Sequence, residues 1–191
     1  MKNTFSDIPC LHSGQITLRK ITPSDADGLR ELVNSPSVYR YLPTYLYEKK
    51  YPDTDFVIAH LYDECLEESL ILGVFEGNSF CGLAEMYGYR PLPGKVSVGY
   101  RLLERCWGRG IATKTLHLMT EYLIHDKEIK VITASTMTAN SASANVLRKN
   151  DFTRILHDVP ENWGYGKPTI ADKWIRQDHT GLWKRYQLHS S

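Results

Sequence analysis

The pattern of apolar and polar positions predicts a chain that alternates between strands and helices. Ile16–Lys20 alternates and is rich in β-branched residues, and Lys95–Leu103 alternates with Val96 and Val98 on one face. The turn Gly77-Asn78 is typical of a hairpin between two further strands. The remaining strands are predicted at residues 70–76, 80–89, 131–138, 152–157 and 173–177.

Apolar residues spaced three or four positions apart predict helices between these strands. The first begins at Thr22-Pro23-Ser24-Asp25, which supplies a capping residue, a proline at the first helical position and an acid at the third, and it ends near Asn34. The others are predicted at residues 55–68, 110–125 and 141–150. Because no linker or repeat divides the chain, we predict one domain of the α/β (α+β) class.

Composition excludes several classes of protein. The 191 residues are 42% hydrophobic and 24% charged, with a net charge of +1. Such a balance gives little long-range attraction to nucleic acid or to an anionic membrane. We find no apolar run of membrane-spanning length and no basic-then-apolar leader, so a cytoplasmic protein is expected. The four cysteines and seven histidines lack metal-ligand spacing, so we expect reduced thiols and no metal.

The charge is unevenly distributed along the chain. Residues 51–89 contain eight acidic and no basic residues, whereas residues 90–191 contain sixteen basic and nine acidic ones. Solvated helix faces would explain this pattern. A second interpretation is that an anionic ligand binds the later half while a cationic one approaches the earlier half. Charge alone does not decide between them.

The segment from Val98 to Met119 predicts a strand, a glycine-containing turn and an amphipathic helix. Gly108 and Gly110 lie at the junction, where backbone N–H groups and the helix N-terminus attract an anion such as phosphate. Arg105 and Arg109 flank the turn and would add charge-assisted hydrogen bonds. The alternative is a glycine turn that only reverses the chain.

Two kinds of phosphate site compete for this segment. Gly108–Thr115 nearly matches the P-loop G-x-x-x-x-G-K-[ST], but Thr113 occupies the second glycine position. No later apolar strand ends in the aspartate that would hold magnesium, because the strand at 131–138 runs into Met137-Thr-Ala-Asn140. A nucleotide triphosphatase is therefore the weaker interpretation.

The stronger interpretation is a family resemblance. WGRGIAT, residues 107–113, resembles the coenzyme A pyrophosphate loop of the GNAT acyltransferases, in the branch of the ribosomal-protein N-terminal acetyltransferases. Arg105-x-x-Gly108-x-Gly110 also fits the general family pattern, but the helical stripe begins at Ile111 and favours the later register. NSASANVLRKNDF, residues 140–152, is similar to a second family motif, with Asp151 in place of the usual glycine. The opening ITLRKITPSDADGLRELV is also typical of this branch.

The resemblance covers roughly residues 16–178 and implies one N-acetyltransferase domain over 1–191, built on a mixed, mostly antiparallel twisted sheet with helices on both faces. It implies acetyl-CoA as co-substrate, no metal, no nucleic acid or membrane partner, and an amine acceptor, and it allows a homodimer. The backbone near Tyr100, Arg101 and Leu102 would bind the acyl carbonyl, at a strand bulge for which the broken alternation at Leu102-Leu103 is evidence. The remaining residues expected to bind coenzyme A are Trp107, Gly108, Arg109, Gly110, Ile111, Ala112, Thr113, Asn140 and Lys149.

The reaction needs a neutral amine and a donor for the leaving thiolate. Glu85 is the candidate general base, because its apolar strand neighbours predict partial burial; an outward-facing carboxylate or a water chain is the alternative. Ser143 matches a position where some GNAT relatives place a hydroxyl that protonates the thiolate, although an ordinary first-turn serine is the other interpretation. The commoner family acid is a tyrosine four residues later, where this chain has Leu147.

The acceptor is less well defined. The resemblance implies that it binds between residues 39–47 and 159–169, which are rich in tyrosine and tryptophan. A protein N-terminus and a small amine both fit, and the acidic residues of 51–89 favour a cationic acceptor. The alternative function is a non-catalytic domain that binds acyl-CoA as a sensor or partner module.

Overall fold

An eight-stranded sheet forms the centre of the computed structural model, which describes Phe5 and residues 7–65 and 69–177. Neighbouring strands are antiparallel throughout, except for one parallel pair near the middle. In the order in which they lie across the sheet, the strands are β1 (Leu11–Ser13), β2 (Ile16–Arg19), β3 (Ser69–Glu76), β4 (Ser79–Arg90), β5 (Lys95–Leu102), β6 (Val131–Met137), β8 (Thr169–Gln177) and β7 (Thr153–Glu161).

The described residues include five α-helices. They are α1 (Ala26–Val33), α2 (Pro36–Tyr39), α3 (Thr54–Cys65), α4 (Ile111–Glu121) and α5 (Ser141–Arg148). Of these, α1–α4 pack against the sheet and α5 packs against α4. Every residue from Ser69 to Phe75 is buried, since α3 packs against β3 and α4 packs against the neighbouring strands β2 and β4. The predicted class and the mixed, mostly antiparallel sheet are confirmed. No helix in these described ranges combines the length and apolar character needed to cross a bilayer.

The predicted elements are present, with differences at their ends. The first helix begins as a 3-10 turn at Pro23–Asp25, and α4 continues as a π-helical turn at Tyr122–Asp126. The closing strands β7 and β8 are both longer than predicted, and β1 and α2 were missed because they are too short to show periodicity. Residues 66–68, where the helix from Asp55 was predicted to end, lie outside the described residues.

The start of the first helix shows why its sequence signal was clear. The Thr22 N–H donates to Asp25 Oδ2 at 2.9 Å, which satisfies a backbone group that the helix itself cannot pair. Arg19 donates to both Asp25 carboxylate oxygens, at 2.9 and 3.0 Å. Burial by itself would raise the pKa of Asp25, but the hydrogen bonds from Arg19 and Thr22 outweigh it and hold the pKa below its ordinary value.

Replacing Asp25 with asparagine is expected to lower the free energy of unfolding by about 1–2 kcal/mol at pH 7. Because folding lowers the pKa of Asp25, its contribution is fully present above the unfolded-state pKa and is lost as pH falls below it. Urea unfolding at pH 7 and at pH 3 should therefore show a difference from wild type that shrinks at the lower pH. Asp27→Asn is the control, since the Asp27 side chain is 98% exposed. A pH-independent difference would contradict the prediction.

Candidate active site

The parallel strands β5 and β6 pair over only three residues and then separate. Lys95, Val96 and Ser97 pair with 131–133, and the two strands diverge beyond that point. A cleft of about 2650 Å³ extends through this part of the molecule. Every predicted site residue except Arg109 lines it.

The backbone of β5 presents donors to the open side of this gap. The Leu103 N–H donates to the Cys81 carbonyl at 2.8 Å, so Leu103 faces β4. Because N–H groups alternate in direction along a strand, the Arg101 N–H also faces β4, whereas those of Tyr100 and Leu102 face the gap. Two of the three residues predicted to bind the acyl carbonyl therefore direct their backbone into the cleft, and Arg101 does not.

The predicted bulge at Leu102-Leu103 is wrong. The pairing of β4 with β5 runs without interruption from Gly82 opposite Leu102 to Tyr87 opposite Ser97. Leu102 and Leu103 are both buried because the chain leaves the sheet here for the 3-10 turn Glu104–Cys106. The irregularity lies in β4 instead, between Tyr87 and Arg90, where Gly88 has a φ of +65°.

The glycine loop has the backbone conformation that its sequence predicts. Gly108 and Gly110 have φ values of +70° and +76°, in the left-handed region that favours glycine. Gly110 caps α4, so the helix begins at Ile111 as the apolar stripe predicted. The Trp107 indole donates to the Leu102 carbonyl at 2.7 Å and fixes the loop to the end of β5. The N-terminus of α4, with its partial positive charge, therefore lies along the cleft.

The arginines expected to add charge to this loop are engaged elsewhere. Arg109 does not line the cleft, and its guanidinium donates to Glu76 Oε2 at 2.6 Å. Arg105 donates to Glu31 and, at 2.8 Å, to the Phe80 carbonyl. A contact of the Arg109 side chain with coenzyme A is therefore not supported, because its guanidinium is paired with an acid from β3. Lys114, which the P-loop interpretation requires at the phosphates, also does not line the cleft.

Helix α5 carries the second motif to the gap. Asn140 caps it, with Oδ1 accepting from the Ser143 N–H at 3.1 Å. The Ser143 hydroxyl lies 3.2 Å from the Tyr100 hydroxyl, a contact that sequence reasoning missed. Burial raises the pKa of Tyr100 to about 12. At the other end of the motif, Asp151 has a φ of +61°, as expected for an acid that replaces glycine there.

Glu85 lies on the opposite face of the sheet from Tyr100. It pairs with Gly99 on β5, one residue before Tyr100, and side chains directly across an antiparallel pair share a face. The Glu85 side chain is 16% exposed, so the predicted partial burial is confirmed. Since both Glu85 and Ser143 line the cleft, the gap between β5 and β6 connects the two faces.

A buried ion network holds Glu85 in place. Arg101, whose side chain is 2% exposed, donates to Glu85 Oε2 at 2.8 Å and to Glu48 Oε2 at 2.6 Å. The Tyr39 hydroxyl donates to the other Glu48 oxygen at 2.9 Å, and burial followed by the charge of Glu48 raises the pKa of Tyr39. No sequence signal identifies Glu48, because it lies 37 residues before Glu85 and belongs to no motif.

The two aromatic segments predicted to bind the acceptor contact each other. The Tyr165 hydroxyl donates to the Leu42 carbonyl at 2.6 Å, and the Thr44 N–H donates to the Trp163 carbonyl at 2.9 Å. Together they form one wall of the cleft, on which Tyr45 is 67% exposed. Burial, and then the charge of Glu85, raises the pKa of nearby Tyr87 to about 12.

The acidic side chains of 51–89 that the structure describes do not gather around the cleft. Of those whose side chains are described, only Glu85 lines the cleft, while Asp53, Asp55 and Glu76 lie outside it. The notion that this segment as a whole attracts a cationic acceptor is therefore not supported, although Glu85 alone is well placed.

One group of side chains with metal-ligand chemistry lies outside the cleft, on β7 and β8. It consists of His157, Asp158 and Asp172, with ligand atoms within 4.8 Å of one another. Arg154 donates to Asp172 Oδ2 at 3.1 Å, and His157 also bonds to the Asp172 carboxylate. These contacts make the group a salt-bridged cluster that joins the two strands.

Comparison with known proteins agrees with this geometry. The family model described as acetyltransferase (GNAT) domain matches residues 15–153. No curated protein sequence is similar enough to count as a match. Among solved structures, the RimL ribosomal-protein α-N-acetyltransferase with coenzyme A bound is similar, at a TM-score of 0.75 and 19% identity over 88% of this chain and 98% of that one.

Two further structures have the same fold. An acetyltransferase from Salmonella typhimurium that modifies an N-terminal serine of a ribosomal protein has a TM-score of 0.74 at 20% identity, covering 88% of this chain and 99% of that one. A spermidine N-acetyltransferase from Vibrio cholerae has a TM-score of 0.70 at 16% identity, covering 91% and 99%. With the family model matching most of its length, the chain belongs to the GNAT acetyltransferase family.

Proposed function

We propose that the protein is an acetyl-CoA-dependent N-acetyltransferase acting on a primary amine. The observation that carries this proposal is the gap between β5 and β6, which has the α4 N-terminus at one end, hydroxyl groups on one face and a carboxylate on the other. The proposal extends to one catalytic domain with its core at residues 16–178 and to a cytoplasmic location.

One group of cleft residues would bind acetyl-CoA. The backbone of residues 107–113 at the α4 N-terminus would hold the pyrophosphate, and Asn140 and Lys149 on α5 line the adjoining part of the cleft. Acetyl-CoA supplies an activated acetyl thioester. The Tyr100 and Leu102 N–H groups face the gap and would stabilise negative charge on the carbonyl oxygen.

The face of the sheet that carries Glu85 supplies a base for the amine. A new bond forms between the amine nitrogen and the acetyl carbon, and the bond from that carbon to sulfur breaks. Glu85 would take the proton that the nitrogen releases, while the Tyr100–Ser143 hydroxyl pair faces the departing sulfur. The base for the amine and the hydroxyl groups near the sulfur would thus act from opposite faces of the sheet.

The class of amine determines the free energy needed to deprotonate it, and so how strongly the reaction depends on a base. Neutralising an alkyl amine at pH 7 costs roughly 4–5 kcal/mol, whereas a peptide α-amine costs about 1 kcal/mol. The structural neighbours include enzymes named for an N-terminal serine and for spermidine, so both classes belong in the search. We propose a peptide N-terminus or a small primary amine as the acceptor.

Thiol release from acetyl-CoA tests this function. The assay presents purified protein with a panel of peptide N-termini, polyamines and aminated antibiotics, and calorimetry measures acetyl-CoA and ATP binding in parallel. We expect acetyl-CoA to bind with micromolar affinity, typical of a substrate complex, and one amine class to accelerate thiol release. Acetyl-CoA binding without turnover for any amine would favour a non-catalytic acyl-CoA sensor. Absence of acetyl-CoA binding would contradict the proposal.

A further inference from the structure

A pair of hydroxyl groups lies in the gap between β5 and β6. The Tyr100 and Ser143 oxygens are 3.2 Å apart, and both residues line the cleft. Ser143 belongs to the second family motif, whereas the sequence predicts a role only for the backbone of Tyr100 and none for its side chain. Either oxygen could donate to the other, so their contact alone does not say which one serves the reaction.

We propose that the Tyr100 hydroxyl donates a hydrogen bond to the sulfur of coenzyme A as the carbon–sulfur bond breaks, and that Ser143 positions this hydroxyl. The inference rests on the proposed function, because it assigns a role within the same reaction. Tyr100 is then a catalytic residue and Ser143 a positioning residue.

The position of Tyr100 on β5 supports this assignment. Tyr100 lies beyond Ser97, the last residue of β5 paired with β6, so its side chain stands where the strands have separated. Its own N–H faces the gap, which places the donor to the carbonyl oxygen and the donor to sulfur on one residue. Its ring is on the face opposite Glu85, so the hydrogen-bond donor to sulfur and the base for the amine lie on opposite sides of the gap.

The residues of α5 support it as well. Leu147, one helical turn after Ser143, is 2% exposed and apolar, so it can donate no hydrogen bond to sulfur. Tyr100 supplies a phenol to the same end of the helix from the neighbouring strand. Ser143 is held at the first turn by the Asn140 cap, which gives the Tyr100 hydroxyl a fixed partner.

The chemistry balances without a lasting change in Tyr100. When the carbon–sulfur bond breaks, its electron pair stays on sulfur, and the Tyr100 O–H stabilises the resulting charge. A phenol whose pKa is raised to about 12 by burial remains protonated throughout the working range of the enzyme. Because an alkyl thiol is a stronger acid than this buried phenol, the thiolate takes its proton from solvent and not from Tyr100. The proton released by the amine goes to Glu85 or to water.

Binding of the product tests this role without knowledge of the acceptor. Calorimetry at pH 9, where part of the free thiol is ionised, compares coenzyme A with desulfo-coenzyme A on wild type, Tyr100→Phe and Ser143→Ala. We expect Tyr100→Phe to bind coenzyme A about tenfold more weakly, since a hydrogen bond to a charged group is lost, and to bind desulfo-coenzyme A unchanged. Ser143→Ala should bind coenzyme A about threefold more weakly and desulfo-coenzyme A as tightly as wild type does. Tyr122→Phe, at a buried tyrosine outside the cleft, should change neither affinity.

The outcomes separate the two claims. Equal coenzyme A affinity in wild type and Tyr100→Phe would overturn the role of Tyr100, and so would a larger loss in Ser143→Ala than in Tyr100→Phe. Failure of wild type to bind either ligand would overturn the proposed function and this inference with it. Unchanged desulfo-coenzyme A binding shows that each variant is folded. Once an acceptor is known, Tyr100→Phe should lower kcat about 100-fold with little change in the KM for acetyl-CoA.

Discussion

Replacing Arg101 with methionine is expected to lower the free energy of unfolding by about 3–5 kcal/mol. The substitution leaves Glu48 and Glu85 facing each other without their shared counter-ion, and the Glu48 side chain is only 1% exposed. Removing one partner of a buried ion pair leaves an uncompensated charge, which costs more than the pair itself contributed. Chemical denaturation at pH 7, followed by circular dichroism, measures the difference.

Two further variants make this result interpretable. Arg30→Met removes an arginine that is half exposed and paired with exposed acids, so it should change stability little. Adding Glu48→Gln to Arg101→Met removes one of the uncompensated charges and should restore part of the loss. Equal stability of Arg101→Met and Arg30→Met would show that the network carries no buried charge. If Arg101→Met does not fold, Glu48→Gln alone should still be destabilised, because Arg101 keeps only Glu85.

Replacing Glu85 with glutamine is expected to lower kcat/KM about 100-fold for an alkyl amine at pH 7 and about tenfold for a peptide α-amine. Roughly one alkyl amine in 2500 is neutral at pH 7, compared with roughly one α-amine in six, so the alkyl amine depends more on a base. Glutamine retains an oxygen that can accept from Arg101, and Glu48 still pairs with the guanidinium, so Arg101 keeps a charged partner in this variant. A loss that differs between the two amine classes therefore reports proton transfer, because a change in the ion network would affect both amines equally. Steady-state thiol release with both acceptor classes measures it.

The pH dependence of this variant gives a second check. As pH rises towards 9, a growing fraction of the amine is neutral without help, so the deficit of Glu85→Gln should shrink. Glu121→Gln is the control, because Glu121 pairs with Arg176 and His125 away from the cleft. A deficit that is the same for both amines and at every pH would indicate a structural role for Glu85. No deficit at all would leave deprotonation to water.

Local signals accounted for much of what the sequence could predict. The helix start at Thr22 and the glycine turn at residues 108–110 were predicted correctly because each depends on a few adjacent residues. The register of the loop followed from the same local logic, since the apolar stripe begins at Ile111. The predicted bulge was wrong because a local pattern can have two causes. Two adjacent leucines are expected both at a bulge and where a strand ends and the chain turns into the core.

Long-range pairing accounted for what the sequence could not predict. Arg109 has the right type and position for a phosphate contact, but Glu76, 33 residues earlier, binds it. Arg101 and Glu48 are 53 residues apart, and neither belongs to a motif. The contact between Tyr100 and Ser143 spans 43 residues. Which opposite charges or hydroxyls meet is decided by the order of strands in the sheet, and spacing along the chain carries no record of it.

The short pairing between β5 and β6 has a mechanical consequence. Strands β1–β5 form one blade of the sheet and β6–β8 another, and within the sheet only three residue pairs join the two blades. The N–H groups left open beyond Ser97 are the same ones that a substrate would use. A ligand arm lying between the blades would therefore act as a partial ninth strand. By accepting hydrogen bonds from these N–H groups it would add a connection between the two blades, so a bound ligand should make the sheet more rigid.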